Sequence, residues 1–368
     1  MSVYLVIGTR PELIKTAPVA FALKKTGIPF RIVNTAQHKD LLDPYWNIFG
    51  LKPDYSLDVM VSGQSLTSLT SRILLQLQDF LDKLEEKPAL LMAQGDTTTV
   101  MGTAMLAFYN KIPFGHIEAG LRSFDLDNPF PEEYNRKVAS ITTQLHFAPT
   151  EVSRQNLLKE NIRENDVYVV GNTVVDALQY ISSTEMFKTA GFNNSNLDQC
   201  LGKDIVLITC HRRENHGENL NNIVAAVEEL VRQYTQFKFV WLLHPNPNVK
   251  NVISTSKLKT YSNFVLTEPV DYWDLLKLLS QSRIILTDSG GIQEEAPSFG
   301  KPLIVLRNVT ERPEAVLAGC AKLTGANTSL ILETFEWAKQ YKSSSNINPY
   351  GDGRAADRIA AIVKHFLR

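Results

Sequence analysis

Ile284-Ile285-Leu286-Thr287-Asp288-Ser289-Gly290-Gly291-Ile292-Gln293-Glu294-Glu295 reads as a short buried strand, a glycine turn and the first turn of a helix. Gly290 and Gly291 allow the backbone to approach a ligand closely, and the unpaired amides at the positive end of the following helix attract anionic oxygens. Glu294 and Glu295 both fit as first-turn acids that complement the helix dipole. Glu295, one residue deeper, also suits a carboxylate that accepts hydrogen bonds from ribose hydroxyls. The stretch alone points to a nucleotide or a sugar phosphate.

Outward from it, short aliphatic or β-branched runs alternate with amphipathic stretches, the pattern of parallel sheets wrapped by helices. Strands are expected near 3–7, 31–35, 89–93, 113–117, 145–148 and 167–170 in the first half. In the second half they are expected near 204–209, 238–243, 263–266, 284–287 and 303–305. The segment 182–202 is rich in Ser, Asn and Gly and reads as a hinge region. At 368 residues the chain exceeds the usual size of one core, so two domains of roughly 150–200 residues are expected.

Composition narrows the partners. With 38 basic and 39 acidic residues the formal charge is −1, which argues against nucleic acid or an anionic membrane surface. Cys200, Cys210 and Cys320 lack metal-ligand spacing, so neither a disulfide framework nor a zinc ribbon is expected. A reducing compartment fits. The chain enters a strand without a basic leader, and no apolar run reaches about 18 residues, so a cytoplasmic protein is expected. The absence of GxGxxG and GxxxxGK[ST] argues against a nicotinamide or P-loop enzyme, and neither a cofactor nor a metal is expected.

Several strand ends carry candidate chemistry. Gly8-Thr9-Arg10-Pro11-Glu12-Leu13-Ile14-Lys15 closes the first strand, with Gly8 suited to a tight turn, Pro11 to a first helical position, and Arg10 and Lys15 able to converge on a phosphate. Two solvated cations are the alternative, although cations at a helix start oppose the dipole unless an anion joins them. Asp96, in Gln94-Gly95-Asp96-Thr97-Thr98-Thr99, lies where open α/β sheets present ligand-binding residues. Asp followed by Thr also opens helices, so an N-cap stands beside that reading. Glu118 follows the next strand among small residues, away from a capping position. Glu132 and Glu133 open a helix, where first-turn acids are also favourable. Acid–base chemistry needs carboxylates that converge on one site, and these are the candidates. In the second half His211 and His216 are separated by cationic residues, which suits an anion better than a metal. Arg312, in Glu311-Arg312-Pro313-Glu314, is able to reach a ribose or phosphate.

Together these segments resemble the non-hydrolysing UDP-N-acetylglucosamine 2-epimerase family over nearly the whole chain. The matching motifs are GTRPELIK at 8–15, TAQH at 35–38, QGDTTT at 94–99, HIEAGLRS at 116–123 and PFPEEYNR at 129–136. They continue with GNTVVDA at 171–177, HRREN at 211–215, TDSGGIQEEAPS at 287–298, ERPEA at 311–315 and NPYGDG at 348–353.

The resemblance implies two Rossmann-like domains of the glycosyltransferase B type, with the active site in the cleft between them. Residues 1–180 would form the domain of the catalytic acids, the C-terminal helix at about 350–368 would return to it, and 181–349 would bind UDP. It assigns catalytic roles to Asp96, Glu118, Glu132 and His211, with His211 near the leaving group. Substrate binding would fall to Arg10, Lys15, His211, Ser289, Gly290, Gly291, Glu295 and Arg312. The implied reaction is reversible epimerisation at carbon 2 of UDP-N-acetylglucosamine through elimination and re-addition of UDP. The implied setting is a cytoplasmic homodimer that supplies bacterial surface polysaccharide synthesis.

A hydrolysing epimerase, an epimerase of a related UDP-sugar and a glycosyltransferase of the same fold stay open as alternatives. The chain also departs from the family. Val270, in Pro269-Val270-Asp271-Tyr272, stands where many members have Gln, and Pro245 replaces a commoner Leu or Met after His244. Lys39 and Gly63 stand where allosteric members often have arginines, so weak or absent activation by substrate is expected.

Overall fold

Runs such as Val3–Ile7 and Leu90–Gln94 are buried along their whole length, as strands must be when helices cover both faces of a parallel sheet. The computed structural model describes residues 2–37, 39–61, 63–244, 246–343 and 348–368. The chain divides into two units, Met1–Ile181 with Tyr350–Arg368, and Ser182–Pro349.

In the first unit the strands are β1 (Val3–Ile7), β2 (Phe30–Asn34), β3 (Tyr55–Ser56), β4 (Leu90–Gln94), β5 (Phe114–Ile117), β6 (Leu145–Ala148) and β7 (Val167–Val169). They form a seven-stranded sheet in the order β3-β2-β1-β4-β5-β6-β7. Every pairing is parallel. The order reverses between β1 and β4, so the loops after these two strands diverge and leave room for a ligand at the switch point. The C-terminal helix Ala355–Phe366 buries Ala355, Ala356, Ile359, Ala360 and Val363 against the helix Arg10–Lys25. Its first amides are held by Asp176, which accepts from the backbone N–H of Ala355 at 3.2 Å and of Ala356 at 2.8 Å.

The second unit repeats the plan with β8 (Asp204–Thr209), β9 (Phe237–Leu242), β10 (Phe264–Thr267), β11 (Ser282–Thr287), β12 (Leu303–Val305) and β13 (Ala321–Leu323). Its six strands run in the order β10-β9-β8-β11-β12-β13, again all parallel. The core centres on Trp241, Phe239 and Phe335, each fully buried. Here the switch point lies between β8 and β11, which places the loops after Thr209 and Thr287 side by side.

The strand centres expected from sequence are present, with ends moved by a residue or two. The edge strands β3 and β13 were not anticipated. The segment 182–202 is more ordered than its composition suggests: Leu197 and Cys200 are fully buried, and the backbone N–H groups of Asn193 and Asn194 donate to Asp274 at 2.7 and 2.9 Å. Among the described residues no helix is long and apolar enough to cross a membrane.

Candidate active site

The loop after β1 is closed by a buried acid. Glu12 accepts the backbone N–H of Gly8 at 2.6 Å and of Thr9 at 3.3 Å, while the Thr97 hydroxyl donates to its other oxygen at 2.6 Å. The reciprocal capping box at Thr9 starts the helix Arg10–Lys25 and ties the β1 loop to the β4 loop. Gly8 is needed for space rather than for a turn. A Cβ there would collide with the Thr99 hydroxyl and lie 2.6 Å from that of Thr35.

Burial pushes the Glu12 carboxyl up to about 7, against the hydrogen bonds from Thr97, Gly8 and Thr9 that lower it. Because the folded value lies above the ordinary 4.5, this group's contribution is fully present below pH 4.5 and is lost as pH rises through about 7. The difference is on the order of 3 kcal/mol. Glu12→Gln is expected to flatten the fall of melting temperature between pH 5 and pH 8. Equal slopes for the two proteins would exclude this account.

Lys15 does not stand free for a phosphate. Its Nζ lies 2.5 Å from Glu118 Oε2, with both side chains buried, and Gln94 Nε2 donates to the same oxygen at 3.0 Å. Glu118 follows β5 with φ +68, a left-handed conformation that costs a non-glycine residue about 1–3 kcal/mol and that clusters at active sites and ligand clamps.

Asp96 is not the helix cap. That role belongs to Thr97, whose hydroxyl accepts from the Val100 backbone N–H. The Asp96 carboxylate instead receives Arg136 Nε at 3.0 Å and Nη2 at 2.6 Å, and its backbone carbonyl accepts from Asn135 Nδ2 at 2.9 Å. His116, fully buried, bonds the Gly95 carbonyl through Nε2 at 2.7 Å. Burial holds its pKa down to about 4, so the ring is neutral at pH 7 and Nε2 carries the donated proton. The glutamate pair then separates. Glu133 is consumed by structure, accepting from the backbone N–H of Ser123 and Phe124 and from Arg136 Nη1. Glu132 has an oxygen, Oε2, that is buried without a hydrogen-bond partner among the described residues. Arg10 lies over the Tyr45 ring at 5.7 Å and reaches its hydroxyl at 3.4 Å.

In the second unit the glycine turn is built around an arginine. A Cβ at Gly290 would lie 2.5 Å from Arg312 Nη1 and 2.7 Å from Cζ, so that glycine admits a side chain of the protein rather than a ligand. Gly291 faces open space beyond Ser289 Oγ at 4.0 Å. The helix Gly290–Glu295 is only six residues long, which places Glu294 and Glu295 at its end and removes the first-turn reading of both. Glu294 pairs with Arg312 Nε at 2.6 Å, and Glu295 accepts from the Tyr272 hydroxyl at 3.0 Å. Arg312 Nη1 also meets Glu311 at 2.5 Å, and Glu311 meets Arg307 at 2.7 Å. Burial raises the Glu311 carboxyl, but the Arg312 and Arg307 guanidiniums outweigh it and hold the group well below the usual range.

Ser289 precedes this helix without a side-chain cap bond, and its backbone N–H donates to the Thr287 hydroxyl at 3.0 Å. His211 follows β8 beside the buried Asp288, its ring stacked on His244. Among the described residues no cluster of three or more His, Cys, Asp or Glu is placed to hold a metal. Gly63 has φ +72 and open space around it, whereas His38, Pro245 and the side chain of Lys39 lie outside the described residues.

Sequence reasoning missed the supporting residues Glu12, Gln94, Arg136, Tyr272 and Asp288. Glu12 alone left a local trace, three residues after Thr9 as a capping box requires.

The family described as UDP-N-acetylglucosamine 2-epimerase matches this chain over residues 22–364. A UDP-N-acetylglucosamine 2-epimerase of Neisseria meningitidis is 47% identical over 370 residues, covering 98% of each chain. One from Escherichia coli strain K12 is 42% identical over 378 residues, covering 99% of each. The crystal structure of UDP-GlcNAc 2-epimerase from Neisseria meningitidis bound to UDP-GlcNAc superposes with a TM-score of 0.88 at 44% identity, covering 99% of this chain and 100% of that one. A glycosyltransferase of kitacinnamycin, 11% identical with a TM-score of 0.61 and covering 100% of this chain and 99% of its own, shares the fold alone.

Proposed function

The chain belongs to the UDP-N-acetylglucosamine 2-epimerase family, and from that premise we propose that it interconverts UDP-N-acetylglucosamine and UDP-N-acetylmannosamine by eliminating and re-adding UDP. It is an isomerase of the glycosyltransferase B fold. The observation that supports the mechanism most is Glu118, held in a left-handed backbone conformation at a strand end with Lys15 2.5 Å from its carboxylate.

Carbon 2 of the sugar has no neighbouring carbonyl, so an enolate cannot invert it. Elimination provides the route. A carboxylate takes the proton from carbon 2 while the bond between carbon 1 and the diphosphate oxygen breaks, and the electron pair of the C–H bond becomes the double bond of 2-acetamidoglucal. The oxygen leaves with the other pair as UDP. In the return step that oxygen attacks carbon 1 and a proton is delivered to the other face of carbon 2.

Asp96, Glu118 and Glu132 are the proton carriers in this reading. Lys15 sets the charge beside Glu118, and Arg136 aims Asp96. His211, Arg10 and the amides of Gly290 and Gly291 stabilise the charge that develops on the diphosphate. Ser289, Glu295 and Arg312 hold the ribose and phosphate side, with Arg312 engaged by two carboxylates from within the protein.

The same reading places the enzyme in the cytoplasm as a homodimer, with its product feeding surface polysaccharide synthesis. The free, buried cysteines agree with a reducing compartment. A self-association surface is supported by Leu75, Phe108, Tyr109 and Ile141, all exposed on helices of the first unit that pack against one another in succession.

Incubation of UDP-N-acetylglucosamine without an acceptor, followed by NMR, tests the reaction. Both nucleotide-linked epimers are expected. Free N-acetylmannosamine with UDP would show a hydrolysing enzyme, and an unchanged substrate would favour a transferase. His211→Ala and Arg10→Ala are each expected to lower turnover by roughly 100-fold or more, the scale for one preorganised charge-stabilising group. Near-normal turnover removes the residue from this assignment.

A further inference from the structure

Asp288 follows β11, fully buried, and faces the loop that carries His211. Its Oδ2 accepts the backbone N–H of His211 and of Arg212, both at 2.9 Å, and the Asn215 side-chain amide at 2.9 Å. Its Oδ1 lies 3.1 Å from the His211 backbone nitrogen and 3.3 Å from His211 Nδ1. One carboxylate therefore holds the backbone of this histidine and lies within ion-pair distance of its ring. The ring also stacks on His244, with planes 18° apart and centroids separated by 5.3 Å. A carboxylate only accepts, so a proton on Nδ1 is the arrangement this pairing favours, with Nε2 turned away from Asp288.

We propose that Asp288 is a positioning residue for the epimerase reaction: it pairs with Nδ1–H of His211 and balances the imidazolium that forms when the ring takes a proton from solvent at Nε2 beside the anionic diphosphate, so that Nε2–H of the charged ring donates to the diphosphate oxygen as the bond to carbon 1 breaks. The inference rests on the placement of His211 at the leaving group proposed above. The surroundings make such a partner necessary. Burial disfavours the charged ring, and Arg212 and His244 oppose it further, while Asp288 favours it, alone among the facing groups of the described residues. Without Asp288, burial, Arg212 and His244 would oppose the charged ring with only the departing diphosphate to favour it. The neutral ring would also be free to carry its proton on Nδ1 or Nε2.

Nitrogen-15 NMR of the full chain with labelled histidine reads the tautomer directly. The neutral His211 ring is expected in the Nδ1–H form, and this wild-type spectrum decides the point even if no variant folds. In Asp288→Asn the retained oxygen stays with the backbone donors and the new amide faces Nδ1, so the ring is expected to change to the Nε2–H form. Turnover should fall by ~100-fold or more with little change in KM, because the ring then meets the leaving oxygen without the imidazolium charge that Asp288 balances, the loss of one charge-stabilising group. In a His211→Asn background the same substitution should cost less than about 3-fold further, because residues that act as one unit are not additive.

An Nε2–H ring in the wild type overturns the proposal, as does an Asp288→Asn loss that is undiminished without His211. Normal turnover of His211→Asn overturns the placement of His211 at the leaving group and this inference with it. A crippled His211→Asn beside a fully active Asp288→Asn overturns this inference alone.

Discussion

Turnover in deuterated water is expected to label carbon 2 in both epimers, and Glu118→Gln to suppress labelling and epimerisation together by about 100-fold or more. A proton removed by a carboxylate exchanges with solvent once the acid is exposed to it, whereas a hydride shuttle carries the original hydrogen throughout. Glu118 is the acid to test first, because its backbone conformation is costly and its carboxylate is met by both Lys15 and Gln94. Glutamine preserves the size of the side chain and removes the charge that Lys15 faces. Asp96→Asn should act on the same scale while also losing the ionic component of its bonds from Arg136. UDP affinity should change far less in either variant, because neither carboxylate is among the groups assigned to the diphosphate. Unlabelled epimer after many turnovers would remove proton abstraction, the long incubation serving to wash out any shielded transfer. A variant that also loses UDP binding would point to collapse of the strand end.

The fold was legible because its strands are apolar on both faces. Runs such as Val3–Ile7 and Ile284 to Thr287 have no plausible place outside a covered parallel sheet. The edge strands were not legible for the same reason in reverse. Tyr55 and Ser56 are exposed on a two-residue strand, so they leave neither an apolar run nor an alternation to read. At the site the sequence named residue types at strand ends but not their partners. Asp96 and Thr97 compete on paper for one cap, and the choice was settled by which side chain reaches the Val100 amide. Glu132 and Glu133 are equivalent as first-turn acids, yet one is held by the amides at Ser123 and Phe124 and the other keeps a buried oxygen unbonded among the described residues. Lys15 and Glu118 are 103 positions apart, beyond any periodicity. Gly290 reads in the sequence as a ligand-facing glycine, whereas in the fold it is the seat of Arg312, a contact that only the folded chain brings together.

Arg312→Met should destabilise the second unit by about 3–5 kcal/mol near pH 7, the cost of breaking buried ion pairs by removing one partner. The guanidinium sits between Glu294 and Glu311, each within 2.6 Å, and all three side chains are at most 10% exposed. Methionine replaces its length and volume but leaves two buried acids short of their cation. The pH dependence has a definite sign. In the wild type Arg312 and Arg307 hold the Glu311 carboxyl below its ordinary 4.5 despite burial, so that contribution is present above pH 4.5 and is lost as pH falls toward the folded value. In the variant Glu311 retains only Arg307 of this pair, its pKa rises, and protonation relieves the buried charge. The gap in stability between the two proteins should therefore be widest near pH 7 and narrow toward pH 4, which denaturant titrations at both values would measure. A gap under about 1 kcal/mol at pH 7, or one that stays constant on acidification, would refute this account of the turn. UDP affinity, measured where both proteins are folded, separates the structural role from the binding role. A loss of about 10–100-fold corresponds to one charge-assisted hydrogen bond to the ligand. Unchanged affinity would confine Arg312 to holding Gly290 and its helix in place, and the ribose and phosphate contacts would then fall to Ser289, Gly291 and Glu295.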